Sequence, residues 1–307
     1  MERFAPARQS PSKMSKSQTS KTGITDRDDF AARLEREGLV VLEDHPFVLT
    51  AAEAPLIDPA LSDGRAKNIS LGPDGVRGAA AGETQGAALG ALLARYRDFA
   101  SRLIGELAPG YRSWLQMGRT SLRLRDVDEP AASPRKDDRR LHVDAFASQP
   151  TGGRRILRVF SNIDPRGGVR MWRVGEPFEA HAARFLDRAR PALPFEAALL
   201  QALGVTRARR TPYDQLMLQI HDRSKLDADY QRTAPARDAA FEAGTSWVVF
   251  TDQVVHAAIA GRYAMEQTFY LPIEAMVSPE LSPARVLERL TGRSLLAGGH
   301  TPRPPTV

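Results

Sequence analysis

The segment 141–146, LHVDAF, sets His142 and Asp144 one residue apart. On a β-strand alternate side chains share a face, so an imidazole and a carboxylate converge on one point and can grip a metal. A third donor lies far along the chain in 246–256, SWVVFTDQVVH, where two short apolar runs flank a Thr-Asp-Gln turn and read as adjacent strands, with His256 closing the stretch. For the three donors to meet, the fold must lay two distant stretches side by side. Two histidines and one carboxylate on one side of a metal leave positions open for a co-substrate and dioxygen, the arrangement of non-haem Fe(II) oxygenases.

A lone His-x-Asp arises cheaply on a surface strand; the apolar surroundings of His256 are what give the pair weight. The bland alternative for His256 is a core histidine bonded to a backbone carbonyl. His45, His181 and His221 are rival ligands. His45 sits beside Pro46 in a loop and His181 in a helical stretch, while His221, next to Asp222, falls on a helix whose Leu216, Met217 and Ile220 read as packing. His221 is therefore read as a structural hydrogen-bonding residue.

At 307 residues and 42% hydrophobic, the chain can bury one large core, and all-β barrels often use this length as a single domain. Cysteine is absent, which excludes disulfides and thiolate metal sites, so a bound metal must take nitrogen and oxygen ligands. Residues 1–25 are polar and read as a disordered basic tail, neither signal peptide nor membrane span, and no later stretch reaches the ~20 apolar residues of a spanning helix. The expectation is a soluble or peripherally attached cytoplasmic protein. The net charge is +6, yet only six of the 43 basic residues are lysine. Arginine favours planar, two-pronged contact with carboxylate or phosphate, so small anions or an anionic membrane surface suit this balance, and no nucleic-acid partner is expected.

Thr25 or Asp26 caps a predicted helix through Arg36, stopped by Gly38, and 39–42 reads as a buried strand. Residues 60–90 read as loop, and Leu92 to Leu107 as an amphipathic helix ended by Pro109 and Gly110. From Arg112 the period becomes two, with Arg119, Ser121, Arg123 and Arg125 sharing a face that is either solvent or the lining of an anion-binding interior. Strands follow at 154–163 and 169–174. An insertion at about 176–235 contains helices at 176–190, 195–203 and 213–222, before strands resume at 246–250, 254–259 and 264–271. The division is thus an N-terminal segment 26–110 packed on the core, a core 111–275, and a C-terminal helix with a Pro-rich tail, 276–307. Many short strands with ligands split across an insertion suit a mainly β (α+β) chain built on a double-stranded β-helix, a jelly-roll or cupin-like core with flanking helices.

Such iron sites pair with 2-oxoglutarate, whose far carboxylate needs a basic residue. The window Met265 to Phe269 offers none, and Arg262 falls in the turn after Gly261. Arg158 shares parity with Ile156, Phe160 and Asn162, opposite Leu157 and Val159, and is favoured as the inward carboxylate partner, although Ile156 and Phe160 could themselves mark the packed face. Arg123 is a second candidate. Trp172 either walls the pocket or belongs to the core.

The segments 141–146, 153–163 and 247–257 together resemble the bacterial Kdo (3-deoxy-D-manno-oct-2-ulosonic acid) hydroxylase family of Fe(II)/2-oxoglutarate dioxygenases, over roughly Trp114 to Pro272. The resemblance implies hydroxylation at carbon 3 of the Kdo sugar of Kdo-lipid A, in the inner core of lipopolysaccharide, to give Ko with release of succinate and CO2. It maps the metal motif onto His142, Asp144 and His256, and the basic co-substrate pocket onto Arg123, Arg158 and Trp172. Arg155 and Arg262 are assigned to substrate binding. The implied partners are Fe(II), 2-oxoglutarate, O2, ascorbate as activator, and a lipid substrate met by peripheral contact with the inner membrane. Two alternatives stay open: the same chemistry on another acidic glycan or a protein side chain, and a non-catalytic jelly-roll module that binds sugars or anions.

Overall fold

The computed structural model describes residues 27–80, 82–127, 133–190 and 195–296. The basic tail, the helix cap at Thr25 or Asp26 and most of the Pro-rich tail lie outside these residues.

Among the described residues, ten strands form two sheets. In chain order they are β1 (Leu39–Leu42), β2 (Ile69–Gly72), β3 (Gly75–Arg77), β4 (Gln116–Arg123), β5 (Arg155–Asn162), β6 (Arg170–Gly175), β7 (Ala236–Phe241), β8 (Ser246–Phe250), β9 (His256–Ala260) and β10 (Ala264–Leu271). The larger sheet runs β1-β8-β5-β10-β4-β2-β3 and the smaller β7-β6-β9, with every pairing antiparallel. Seven helices among the described residues flank them: α1 (Arg27–Glu37), α2 (Glu83–Leu107), α3 (Phe178–Leu186), α4 (Glu196–Ala202), α5 (Pro212–Leu226), α6 (Ala228–Thr233) and α7 (Pro283–Thr291).

Alternation along the strands sorts the two faces of the large sheet. Leu157 and Val159 of β5, Val248 and Phe250 of β8, and Phe269 and Leu271 of β10 join one core with α1, α2, α3, α5 and α7. Leu122 of β4 and Met265 of β10 pack with Ile69 under the first half of α2. The opposite face carries Phe160, Trp247 and Val249, which meet Trp172, Phe241 and Ala258 of the small sheet in an aromatic layer between the sheets. Trp247 stacks on Phe241 at 3.9 Å and Trp172 stands edge-on to Phe160 at 5.2 Å. All eight residues of β10 are buried, because helices cover one face and the inter-sheet space the other. This is a double-stranded β-helix with a helical cover on one side, as expected.

Several elements differ from the sequence reading. The 60–90 stretch contains the β2–β3 hairpin, turning at Pro73 and Asp74, and α2 begins at Glu83 rather than near Leu92. Strand β1 pairs with β8 and β2 with β4, so both belong to the larger sheet. Strand β7 and helix α6 were absent from the sequence reading. The His142 segment is not a strand: it is an extended stretch joined to β9 by one antiparallel bridge, His142 to His256.

Candidate active site

That bridge builds the site. His142 N–H donates to the carbonyl of His256 (3.0 Å) and His256 N–H returns the bond (2.8 Å), which places two imidazoles from distant stretches side by side, with ring centroids 4.6 Å apart. Two residues on, Asp144 N–H donates to Thr251 O (2.7 Å), holding the carboxylate on the same side as His142. The donor atoms of His142, Asp144 and His256 all lie within 4.8 Å of one another. The same-face relation expected of a strand therefore survives without a strand ladder.

Each imidazole is oriented through its far nitrogen. His142 Nδ1 is 2.7 Å from Arg140 O and His256 Nδ1 is 2.8 Å from Val254 O; a carbonyl can only accept, so Nδ1 carries the proton and Nε2 keeps its lone pair. Burial pushes both imidazoles below their usual pKa, strongly for His142, where His256 and Lys225 add to the effect. Burial alone would raise the Asp144 carboxyl, but Arg158 and the two imidazoles hold it well below the carboxylate range. Two neutral nitrogens and one carboxylate are what a hard-to-borderline divalent metal such as Fe(II) requires.

The triad opens into a cavity of about 190 Å³ lined also by Phe146, Arg158, Phe160, Arg170, Trp172 and Ala258, together with Lys67, Arg123 and Asp138. Arg158 faces the cavity as its parity suggested, and Leu157 and Val159 pack on the helical side. Its guanidinium is held by Glu266 Oε1 (2.8 Å) and lies 2.9 Å from Asp144 Oδ2, in an ion pair whose N–H is not aimed at that oxygen. Arg123 is clamped by Glu266 through Nε (2.9 Å) and Nη2 (2.5 Å), and Lys67 bonds Asp138. Arg170 is different. It comes from β6, it has no carboxylate partner among the described residues, and its Nη1 reaches only the carbonyls of Gly261 (3.3 Å) and Arg262 (3.2 Å). Burial and the nearby Arg123 both disfavour its charge. Gly261, at φ +104°, lets the β9–β10 turn pass close to it: a Cβ there would lie 2.8 Å from Arg170 Cα.

Four cavity residues carry a buried polar atom with no hydrogen-bond partner: Asp144 Oδ2, Arg158 Nε, Arg170 Nε and Trp172 Nε1. Buried unsatisfied groups are rare in folded proteins, and an acceptor beside the imidazoles with three donors facing the same cavity fits a metal plus an anionic ligand. Trp172 also stacks on His256 at 5.1 Å, walling the triad.

Two sequence assignments are corrected here. Arg155 has the wrong parity: it is fully buried on the helical side, bonded to Asp252 Oδ2 (2.7 Å) and Gln253 Oε1 (2.6 Å) and stacked on Phe250, and it does not line the cavity. Arg262 lies in the turn, as read, but its side chain pairs with Asp126 (3.0 Å) and does not line the cavity. His221 donates its hydrogen bond to Asp222 (2.9 Å) and packs edge-on against His142 at 5.4 Å, outside the triad. Arg170, Lys67 and Asp138 were missed. The alternation of Arg170 with Trp172 along one strand was the available signal, since both face the same way.

A double-stranded β-helix with two histidines and a carboxylate on one face of an arginine-lined cavity defines the class of mononuclear non-haem iron oxygenases. The family model for 3-deoxy-D-manno-oct-2-ulosonic acid (Kdo) hydroxylase matches residues 15–294. Among solved structures, the Kdo hydroxylase KdoO, described as a non-heme Fe(II) α-ketoglutarate-dependent dioxygenase, is similar in its complex with α-ketoglutarate and Fe(III): 39% identity, TM-score 0.85, covering 90% of this chain and 94% of that one. Its cobalt(II) complex aligns at 39% identity and TM-score 0.87, and its complex with succinate and Fe(III) at 38% and 0.86, each covering 94% of this chain and 98% of that one. No curated protein sequence matches. The chain belongs to the Kdo hydroxylase family.

Proposed function

We propose that this protein is an Fe(II)/2-oxoglutarate-dependent dioxygenase that hydroxylates carbon 3 of the Kdo sugar of Kdo-lipid A, giving Ko with release of succinate and CO2. The observation that carries this reading is the convergence of His142, Asp144 and His256 within 4.8 Å at the wall of an arginine-lined cavity. In this reading His142 Nε2, His256 Nε2 and an Asp144 oxygen hold the iron. Bound iron with 2-oxoglutarate and dioxygen supplies the oxidising chemistry, and ascorbate would keep the metal ferrous.

The chain's own residues do the rest. The carbonyls of Arg140 and Val254 fix the imidazole tautomers, so the metal-facing lone pairs are presented without reorganisation. Glu266 braces Arg158 and Arg123 and partly neutralises them, which leaves Arg170 as the buried cation best able to receive a ligand carboxylate in a paired, charge-assisted contact. Trp172, Phe146 and Phe160 line the cavity with aromatic surface, excluding water from the reacting centre. Kdo carries a carboxylate and lipid A carries phosphates, so a basic cavity and surface suit both. No helix among the described residues is long and apolar enough to cross a membrane, and the reading is one of peripheral contact with the cytoplasmic face of the inner membrane.

The test is incubation of the purified protein with Kdo-lipid A, Fe(II), ascorbate and 2-oxoglutarate. A one-oxygen mass gain on the sugar with equimolar succinate is expected, and both should vanish in His142→Ala. Succinate without sugar oxidation would keep the chemistry and change the acceptor; neither product, with metal content unchanged by His142→Ala, would sink the enzymatic reading.

A further inference from the structure

Of the ten large apolar side chains left exposed among the described residues, four fall between 195 and 205: Phe195, Leu199, Leu203 and Val205, each between 50 and 83% exposed. Soluble proteins scatter exposed apolar residues singly, so this concentration marks a contact surface. Phe195, Leu199 and Leu203 recur every four residues and share one face of α4, whose caps are Phe195 and Leu203 themselves. The arm is not frayed chain: Val205 N–H and Thr206 N–H both return to Leu200 O (2.9 and 3.2 Å), and Thr206 is buried.

The charge beside this ridge is mostly positive. Arg207 and Arg209 are exposed and have no ion-pair partner among the described residues, and Glu196 is the one acid between 195 and 210. An apolar ridge flanked by unpaired arginines matches the interface of an anionic bilayer, where apolar side chains enter the acyl boundary and guanidiniums meet phosphates.

Two hydrogen bonds tie the arm to the cavity. Arg207 N–H donates to Ser148 O (2.9 Å) and Arg210 Nη2 to Ala147 O (2.7 Å), on the loop that has just left cavity residue Phe146. The arm is thus anchored to the loop that follows cavity residue Phe146.

We propose that the 195–209 arm is the membrane-docking element, seating the protein on anionic lipid so that the cavity mouth meets a sugar displayed at the headgroup level. The purpose assigned to it rests on the Kdo-lipid A reading; the lipid contact itself does not. Full-length protein is mixed with vesicles of phosphatidylglycerol and phosphatidylethanolamine, or of phosphatidylcholine alone, without iron or substrate, and bound protein is measured by flotation. Wild type should bind the anionic vesicles and leave the neutral ones. Arg207→Glu/Arg209→Glu should weaken binding roughly tenfold or more, since each cation near an anionic surface contributes about fivefold. Leu199→Glu/Leu203→Glu should act similarly. Both variants should melt like wild type, oxidise a deacylated, water-soluble Kdo acceptor at the wild-type rate, and lose turnover on vesicle-embedded Kdo-lipid A. Equal binding by wild type and variants, or no wild-type binding, overturns the proposal. So does light scattering in which wild type is a dimer and Leu199→Glu/Leu203→Glu a monomer, for the ridge then seats a second copy. Vesicle binding as expected with no oxidation of either acceptor would leave the docking surface standing and fell the functional reading.

Discussion

At the scale of the residue, three arginines of similar appearance in the sequence have three different fates. Arg155 and Arg158 differ by three positions on β5 and so face opposite sides of the sheet. Arg155→Ala leaves Asp252 buried without its partner and should cost about 3–5 kcal/mol in chemical denaturation. Substrate and co-substrate KM values of the folded protein should stay unchanged. A rise in KM with little loss of stability would restore Arg155 to the binding site. Arg170 is the converse case. Arg170→Gln removes a charged donor from a ligand carboxylate and should raise the KM of one acid, 2-oxoglutarate or Kdo, by about ten- to a hundredfold, the equivalent of about 1.5–3 kcal/mol. Unchanged KM for both acids would remove Arg170 from ligand binding. The convergence of His142, Asp144 and His256 was legible because donor identity, one-residue spacing and apolar context are local. Arg170 was not, because the absence of a counter-carboxylate is a property of the folded neighbourhood and leaves no mark in GGVRMW.

At the scale of the element, strands with strong alternation could be read and those held by their neighbours could not. β8, SWVVF, and the TFYL end of β10 carry β-branched and aromatic residues, whereas β7, ARDAAF, is mostly residues that disfavour strands and forms because β6 offers it a full antiparallel partner. The His142 segment has the side-chain geometry of a strand with a single bridge, which explains how its ligand pair could be inferred from a periodicity it does not strictly possess. Helix α5 shows how an element positions the site at a distance. Its Thr211–Asp214 capping box is complete, and Asp214 also accepts from Thr151 N–H (2.8 Å) and Gly152 N–H (3.0 Å), pinning the turn that feeds β5. Losing a cap costs about 1 kcal/mol, and each stranded buried donor adds more. Asp214→Ala should therefore destabilise by about 2–4 kcal/mol in urea titration, well beyond an ordinary cap. A loss under 1 kcal/mol would mean the turn is held by other means.

At the scale of the whole molecule, the fold segregates its chemistry: helices cover one face of the large sheet, and the other face is reserved for aromatic packing and the basic cavity. Their connection is visible in β10, where Phe269 and Leu271 serve the helical core while Glu266 braces Arg158 and Arg123. The helical cover also contains its own titrating group. His181 of α3 is fully buried, with Nδ1 2.8 Å from Tyr230 Oη, and burial lowers its pKa against a smaller upward pull from Glu176. The unfolded chain takes up this proton near pH 6.5 and the folded protein only at lower pH, so the neutral imidazole stabilises the fold fully above that point. This contribution falls away as pH drops through the interval between the two values, with a slope of at most about 1.4 kcal/mol per pH unit for one proton. His181→Gln can still bond Tyr230 and cannot titrate. Denaturant melts at intervals from pH 8 to pH 5 should show wild type losing stability faster than the variant below about pH 6.5. Parallel curves would mean that the acid sensitivity of the fold lies elsewhere.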